Sequence, residues 1–125
     1  MTAVVRNGYV ARWRVVEYEA SPDGQVVRLY ADAPAAGFEE VRAGRYRRLV
    51  PWDELDWFGY VRTVAAWRDL PVLVLAERDG QVRVEYLGGV APLALEAGLT
   101  RTEPGVYQGW VPRAEVVAVQ EVRTP

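Results

Sequence analysis

The chain predicts an all-β, mainly antiparallel fold in which one small sheet plan is used twice. Three observations carry this. Residues alternate with the two-residue period of half-buried strands, as where Val16, Tyr18 and Ala20 share one face and Glu17 and Glu19 the other. Gly, Pro and Asp punctuate these short runs, as turns between strands do. Landmarks also recur at constant spacing: Ala36-Gly37-Phe38, Gly44-Arg45-Tyr46 and Val50-Pro51-Trp52-Asp53-Glu54-Leu55 return as Ala97-Gly98-Leu99, Gly105-Val106-Tyr107 and Val111-Pro112-Arg113-Ala114-Glu115-Val116. Upstream of each set lies Asp-Gly-Gln-Val (Asp23 to Val26, Asp79 to Val82) followed by a Tyr (Tyr30, Tyr86), and before that a Trp-Arg pair (Trp13-Arg14, Trp67-Arg68).

The elements follow in order. Residues 1–8 are a lead-in, and Tyr9 to Ala20 holds a strand or two. Ser21-Pro22-Asp23-Gly24 supplies turn chemistry, since Pro presets φ and Gly reaches positive φ without a Cβ penalty. Val26 to Tyr30 resumes a strand that stops at Pro34, which lacks a ladder donor. Phe38 to Val41 and Arg45 to Val50 are two short strands joined through Gly44, with Tyr46, Arg48 and Val50 on one face of the second. Pro51 to Leu55 reads as a single helical or 3₁₀ turn with Pro in its first position. Asp56 to Val64 is too aromatic and β-branched for a flexible linker and reads as a strand or tight connection. In the second copy, Leu70 to Ala76, Val82 to Tyr86, Val106 to Val111 and Val116 to Val122 are strands. Between Gly88 and Gly98 an early Pro, good helix formers and a closing Gly predict a short helix. The expected division is 1–56 for the first repeat and 57–125 for the second, packed as one compact unit. A unit this small without a disulfide is marginal alone, so Trp52, Trp57, Phe58 and Tyr60 are expected first as apolar core between the repeats. The alternative is an exposed contact patch.

Composition removes several chemistries. The chain has neither Cys nor His, and Ser21 is its single serine. Thiolate nucleophiles, thiolate metal sites and Ser-His or Cys-His constellations therefore cannot be assembled. Paired carboxylates among Glu39, Glu40, Asp53, Glu54 and Asp56 are the remaining enzyme route. It is disfavoured, because a working dyad needs one acid buried to raise its pKa, and these residues read as surface groups balancing Arg42, Arg45, Arg47 and Arg48. Glu54 and Glu115 recur at matching positions, which suggests a shared structural task such as bonding backbone donors at the Val-Pro turn. Gly88-Gly89 lacks the spacing and the Lys of a phosphate loop, and the carboxylates lack calcium-loop spacing. No enzyme activity, cofactor or metal is expected. No apolar run approaches the ~20 residues of a membrane helix, and the first residues lack signal-peptide character. A cytoplasmic protein without a membrane partner is expected.

The recurring plan resembles an SH3-like small β-barrel, on the early strand with Trp-Arg, the Gly-x-Tyr strand and the closing Val-Pro-x-x-Glu-aliphatic turn. The resemblance implies two SH3-like barrel or half-barrel repeats. The acidic run and paired Trp with which signalling SH3 domains grip Pro-rich peptides are missing, so that recognition is not carried over. The arrangement also resembles small actinobacterial proteins of toxin–immunity neighbourhoods, and basic residues that are all Arg, with no Lys, suit the coding bias of such a GC-rich genome. The expected function is non-catalytic protein binding of the immunity or antitoxin type. Trp52, Asp53, Glu54, Asp56 and Trp57 form the expected partner surface, and a basic toxin domain is the fitting partner. The alternative is a nucleic-acid module using Arg45, Tyr46, Arg47 and Arg48, which interleave charge with an aromatic ring. The net charge of −2 and the acidic neighbours disfavour it. A monomer or homodimer fits either reading.

Overall fold

Residues 5–125 are described in a computed structural model, and β-strands dominate them. The strands are β1 (Gly8–Trp13), β2 (Val16–Asp23), β3 (Val26–Ala31), β4 (Glu39–Arg42), β5 (Arg45–Pro51) and β6 (Trp57–Trp67). They continue as β7 (Leu70–Arg78), β8 (Gln81–Tyr86), β9 (Thr100–Glu103), β10 (Val106–Pro112) and β11 (Val116–Thr124). Single 3₁₀ turns, Trp52–Glu54 and Arg113–Glu115, follow β5 and β10, and helix α1 (Ala91–Glu96) precedes β9. The fold is all-β and mainly antiparallel, with one short helix among the described residues. None of those residues forms a helix long and apolar enough to cross a membrane. The expected lead-in falls partly on residues 1–4, outside the described chain.

Contacts gather the chain into two units, Gly8–Val61 with Arg123–Pro125, and Arg62–Val122 with residues 5–7. In the first, strands lie in the order β4-β5-β3-β2-β1, and β1 pairs with the beginning of β6 from Gly8↔Val61 to Arg12↔Trp57. Ala11, Trp13, Ala20, Val27, Leu29 and Val50 form its core, with Tyr18, Phe38, Leu55 and Phe58 packed against it. In the second, the end of β6 pairs with β7, followed by β8, β10 and β9, while β11 pairs with β6. Its core joins Trp67, Val72, Val74, Val82, Val84, Tyr86, Leu99, Val111 and Val116 with Ala94 of α1. Fully burying one such Val or Leu contributes roughly 1.5–3 kcal/mol.

The hairpins correct two details of the sequence reading. Ser21, Pro22 and Asp23 belong to β2, and the turn is only Gly24-Gln25. Pro22 is tolerated there because β2 pairs with β1 no further than Glu19, so no partner on that side needs its missing N–H. The second correction concerns register. Asp23 pairs with Val26 across a turn entered through Gly24 at φ 64, whereas Arg78 pairs with Gln81 across Asp79 and Gly80 at φ 52 and 75. The same Asp-Gly letters thus sit one step apart in the two hairpins. Val27, not Val26, is the counterpart of Val82: Val27 faces Val50 and Val82 faces Val111, all in the cores. Tyr30 and Tyr86 consequently differ in environment, Tyr86 being buried and Tyr30 only half-buried, because a one-residue slip exchanges the faces of a strand.

Candidate partner-binding surface

An exposed aromatic row runs along one side of the first unit. On β1, Tyr9, Ala11 and Trp13 share a face, of which Ala11 and Trp13 enter the core while Tyr9 stays 45% exposed. The antiparallel register sets Ala11 opposite Phe58 and Tyr9 opposite Tyr60. The small Ala11 leaves Phe58 room to lean diagonally onto Tyr9, their rings stacked at 5.4 Å, and Tyr9 meets Tyr60 edge-on at 5.2 Å. Phe58 also takes the edge contact of Trp52 at 4.7 Å. Four rings therefore continue the core face outward, with Trp52 38% and Tyr60 40% exposed. Each such pair is worth about 0.5–1.5 kcal/mol beyond its buried area.

Trp52 is positioned by its turn. Pro51, at φ −60, leads the chain into Trp52–Glu54, where Leu55 N–H donates to Trp52 O at 3.2 Å. The Asp56 N–H donates to Arg12 O at 2.8 Å and so docks the end of the turn on β1. The Trp52 indole Nε1–H donates to Gly24 O at 2.9 Å, which fixes the ring. Asp53, Glu54 and Asp56 are exposed on this turn. Their carboxylates make no ion pair among the described residues, although most nearby cations do: Arg12 and Arg123 share Glu17, and Arg28 holds Asp23.

Trp57 goes elsewhere. Alternation along β6 places Trp57 with Gly59, opposite to Phe58 and Tyr60. A Cβ on Gly59 would strike the Trp57 ring and the Thr124 carbonyl, so only glycine lets the indole lie this close. The Arg123 guanidinium covers the ring at 5.5 Å. Of the expected partner residues, Trp52, Asp53, Glu54 and Asp56 stay together on one turn and Trp57 leaves them. Tyr9 was not among those singled out from the sequence. The signal that could have found it is the Tyr9, Ala11, Trp13 alternation, but its pairing with Tyr60 is a long-range contact that no local pattern announces.

The four residues of the basic strand divide between two faces. Arg45 donates to Glu19 at 2.7 Å and to Asp32 at 2.8 Å and lies over Tyr30 at 4.6 Å. Its hydrogen bond to Glu19 leads the causes that raise its pKa above the ordinary value. On the other face the hydrogen bond between Tyr46 and Glu40 raises the pKa of the phenol. Arg48 covers the Trp13 ring at 4.8 Å and donates to Gly37 O at 3.0 Å, while its Nε is buried without a partner among the described residues. Arg47 alone of the three arginines makes no such contact among the described residues.

Glu54 and Glu115 do not share a task. Glu115 accepts from the Trp67 indole N–H at 3.0 Å and from Arg68 Nε at 3.3 Å, side-chain donors and not the backbone of the turn. Glu54 holds no counterpart on Trp13, which Arg14 and Arg48 cover instead.

No curated protein and no solved structure matches the chain. The aromatic row, the acidic turn and both units nevertheless lie within one matched span, residues 5–125, and over it the chain belongs to the family described as "Uncharacterised conserved protein UCP033725".

Proposed function

We propose that this chain is a non-catalytic protein-binding module, two SH3-like repeats in architecture and immunity- or antitoxin-like in role. One observation carries the reading. The exposed rings of Tyr9, Trp52 and Tyr60, gathered around half-buried Phe58, adjoin a turn whose three carboxylates make no ion pair among the described residues. Rigid aromatic anchors supply affinity at protein interfaces, and unpaired charge beside them supplies on-rate and selects a partner of opposite sign. A basic protein that the chain covers sterically fits this surface. The cytoplasmic location expected from the sequence is part of the same proposal.

The nucleic-acid alternative has less support. Arg45 is held by two carboxylates and Arg48 by Trp13 and a backbone carbonyl, so one arginine of the strand is left to meet phosphate. Phosphate attraction dominates such affinity.

The test is rescue and retention. Co-expression with a toxin encoded beside this chain's gene is expected to restore growth, and the purified pair to associate. Tyr9→Ala with Tyr60→Ala is expected to weaken that association about tenfold or more, as truncated anchors do. Absence of rescue together with unchanged association in the double variant would remove the reading.

A further inference from the structure

The chain treats its tryptophans uniformly, with one exception. Trp13 has Arg14 and Arg48 over its ring at 4.3 and 4.8 Å, Trp57 has Arg123 at 5.5 Å, Trp67 has Arg68 at 5.0 Å and Trp110 has Arg78 at 4.6 Å. Trp52 has no guanidinium among the described residues, and at 38% it is the most exposed of the tryptophans. Its ring is not loose, because Nε1–H is bonded to Gly24 O and Phe58 meets it at 74°. An edge contact of that kind occupies at most one face of the indole. A fixed, 38% exposed indole is therefore carried on the same turn as Asp53 and Glu54, with Asp56 just after it, and these three carboxylates make no ion pair among the described residues.

We infer that Trp52 receives an arginine of the partner protein, stacked on the indole with its charge met by those carboxylates. The guanidinium is planar and weakly hydrated, so it lies on a ring and reaches a carboxylate in two-point contact. An ammonium stays more strongly hydrated and does both less well. The indole offers the strongest ring quadrupole of the aromatic side chains, so Trp52 is favoured over Tyr9 and Tyr60. This inference rests on the protein-binding reading and names the chemistry of its occupant.

Heteronuclear NMR on the intact chain tests it, with the Trp52 indole N–H as reporter, assigned through Trp52→Leu. Three blocked peptides of identical length are titrated, bearing arginine, lysine or citrulline, the last a neutral isostere of arginine. The arginine peptide is expected to shift the Trp52 indole most strongly, the lysine peptide to bind more weakly, and citrulline to leave it unmoved. In Trp52→Leu, which keeps apolar bulk without the ring face, arginine-peptide binding read at the Tyr60 amide should weaken about two- to fivefold. Replacing Asp53, Glu54 and Asp56 by their amides should weaken it further and flatten its salt dependence. Equal binding of lysine and arginine peptides would overturn the inference, and so would an indole that none of them moves. If the arginine peptide fails while a protein partner is still lost from Tyr9→Ala with Tyr60→Ala, the arginine assignment falls and the binding surface stands.

Discussion

Trp67 is 3% exposed, and at that depth its indole N–H needs an acceptor. Glu115 provides it from the 3₁₀ turn and also touches Arg68. The ion pair itself carries little, since the Arg68 side chain is 56% exposed and water screens it. Most of the worth of Glu115 is the buried donor it satisfies. Glu115→Ala is therefore expected to cost about 1–3 kcal/mol in chemical denaturation. Glu115→Gln should cost less, because the amide oxygen still accepts from Trp67. Glu54→Ala should stay within about 0.5 kcal/mol, as surface changes do. Equal losses at Glu54 and Glu115 would mean that the turn, and not the indole bond, is what the carboxylate serves. The spacing of Val-Pro-x-x-Glu made these residues look alike in sequence. What separates them is long-range: Glu115 meets Trp67 and Arg68, whereas Arg48 from a different strand joins Arg14 over Trp13.

At the level of the hairpin, most strands were legible and the registers were not. Alternation located the strands, and the Val-Pro pattern located both 3₁₀ turns, because each signal is local. Whether Asp or Gly enters a turn first is decided by how two strands twist together, so identical letters gave Gly24-Gln25 in one place and Asp79-Gly80 in the other. The β1–β2 hairpin shows a cost of the same origin. Trp13 pairs with Val16 across Arg14-Val15, both at positive φ (51 and 74), and Val15 is 88% exposed at the tip. This turn form matches strand twist but suits Asn-Gly, and a β-branched residue is strained in it. Val15→Gly should therefore stabilise the chain by about 1 kcal/mol, an almost fully exposed side chain being lost and left-handed strain relieved. Thermal denaturation reads this directly. A lower melting temperature would show that the extra freedom glycine brings to the unfolded chain outweighs the strain.

Across the whole molecule a small net charge of −2 conceals unequal commitment of its charges. Arg6, Arg12, Arg28, Arg45, Arg68, Arg113 and Arg123 each hold a carboxylate of the chain itself. On the Trp52 turn the carboxylates are left to act outward. The sequence could group Asp53, Glu54 and Asp56 because residues of one short turn stay together whatever the fold. It could not separate Trp57 from them or set Tyr9 beside Tyr60, because their placement depends on β6 alternation and on pairing with β1. The two functional readings then differ in the sign of their charge dependence. Reversing Asp53, Glu54 and Asp56 to Arg should lower the association rate with a basic protein and steepen nothing in its folding, with the melting temperature unchanged within about 2 °C. The same reversal would improve binding to a random-sequence oligonucleotide if phosphate were the ligand, and that binding would fall steeply with added salt. The expected result is loss of the protein partner with no oligonucleotide bound by the unmodified chain at low salt. Oligonucleotide binding by the unmodified chain that Arg47→Ala weakens would transfer the function to the Arg45–Arg48 strand.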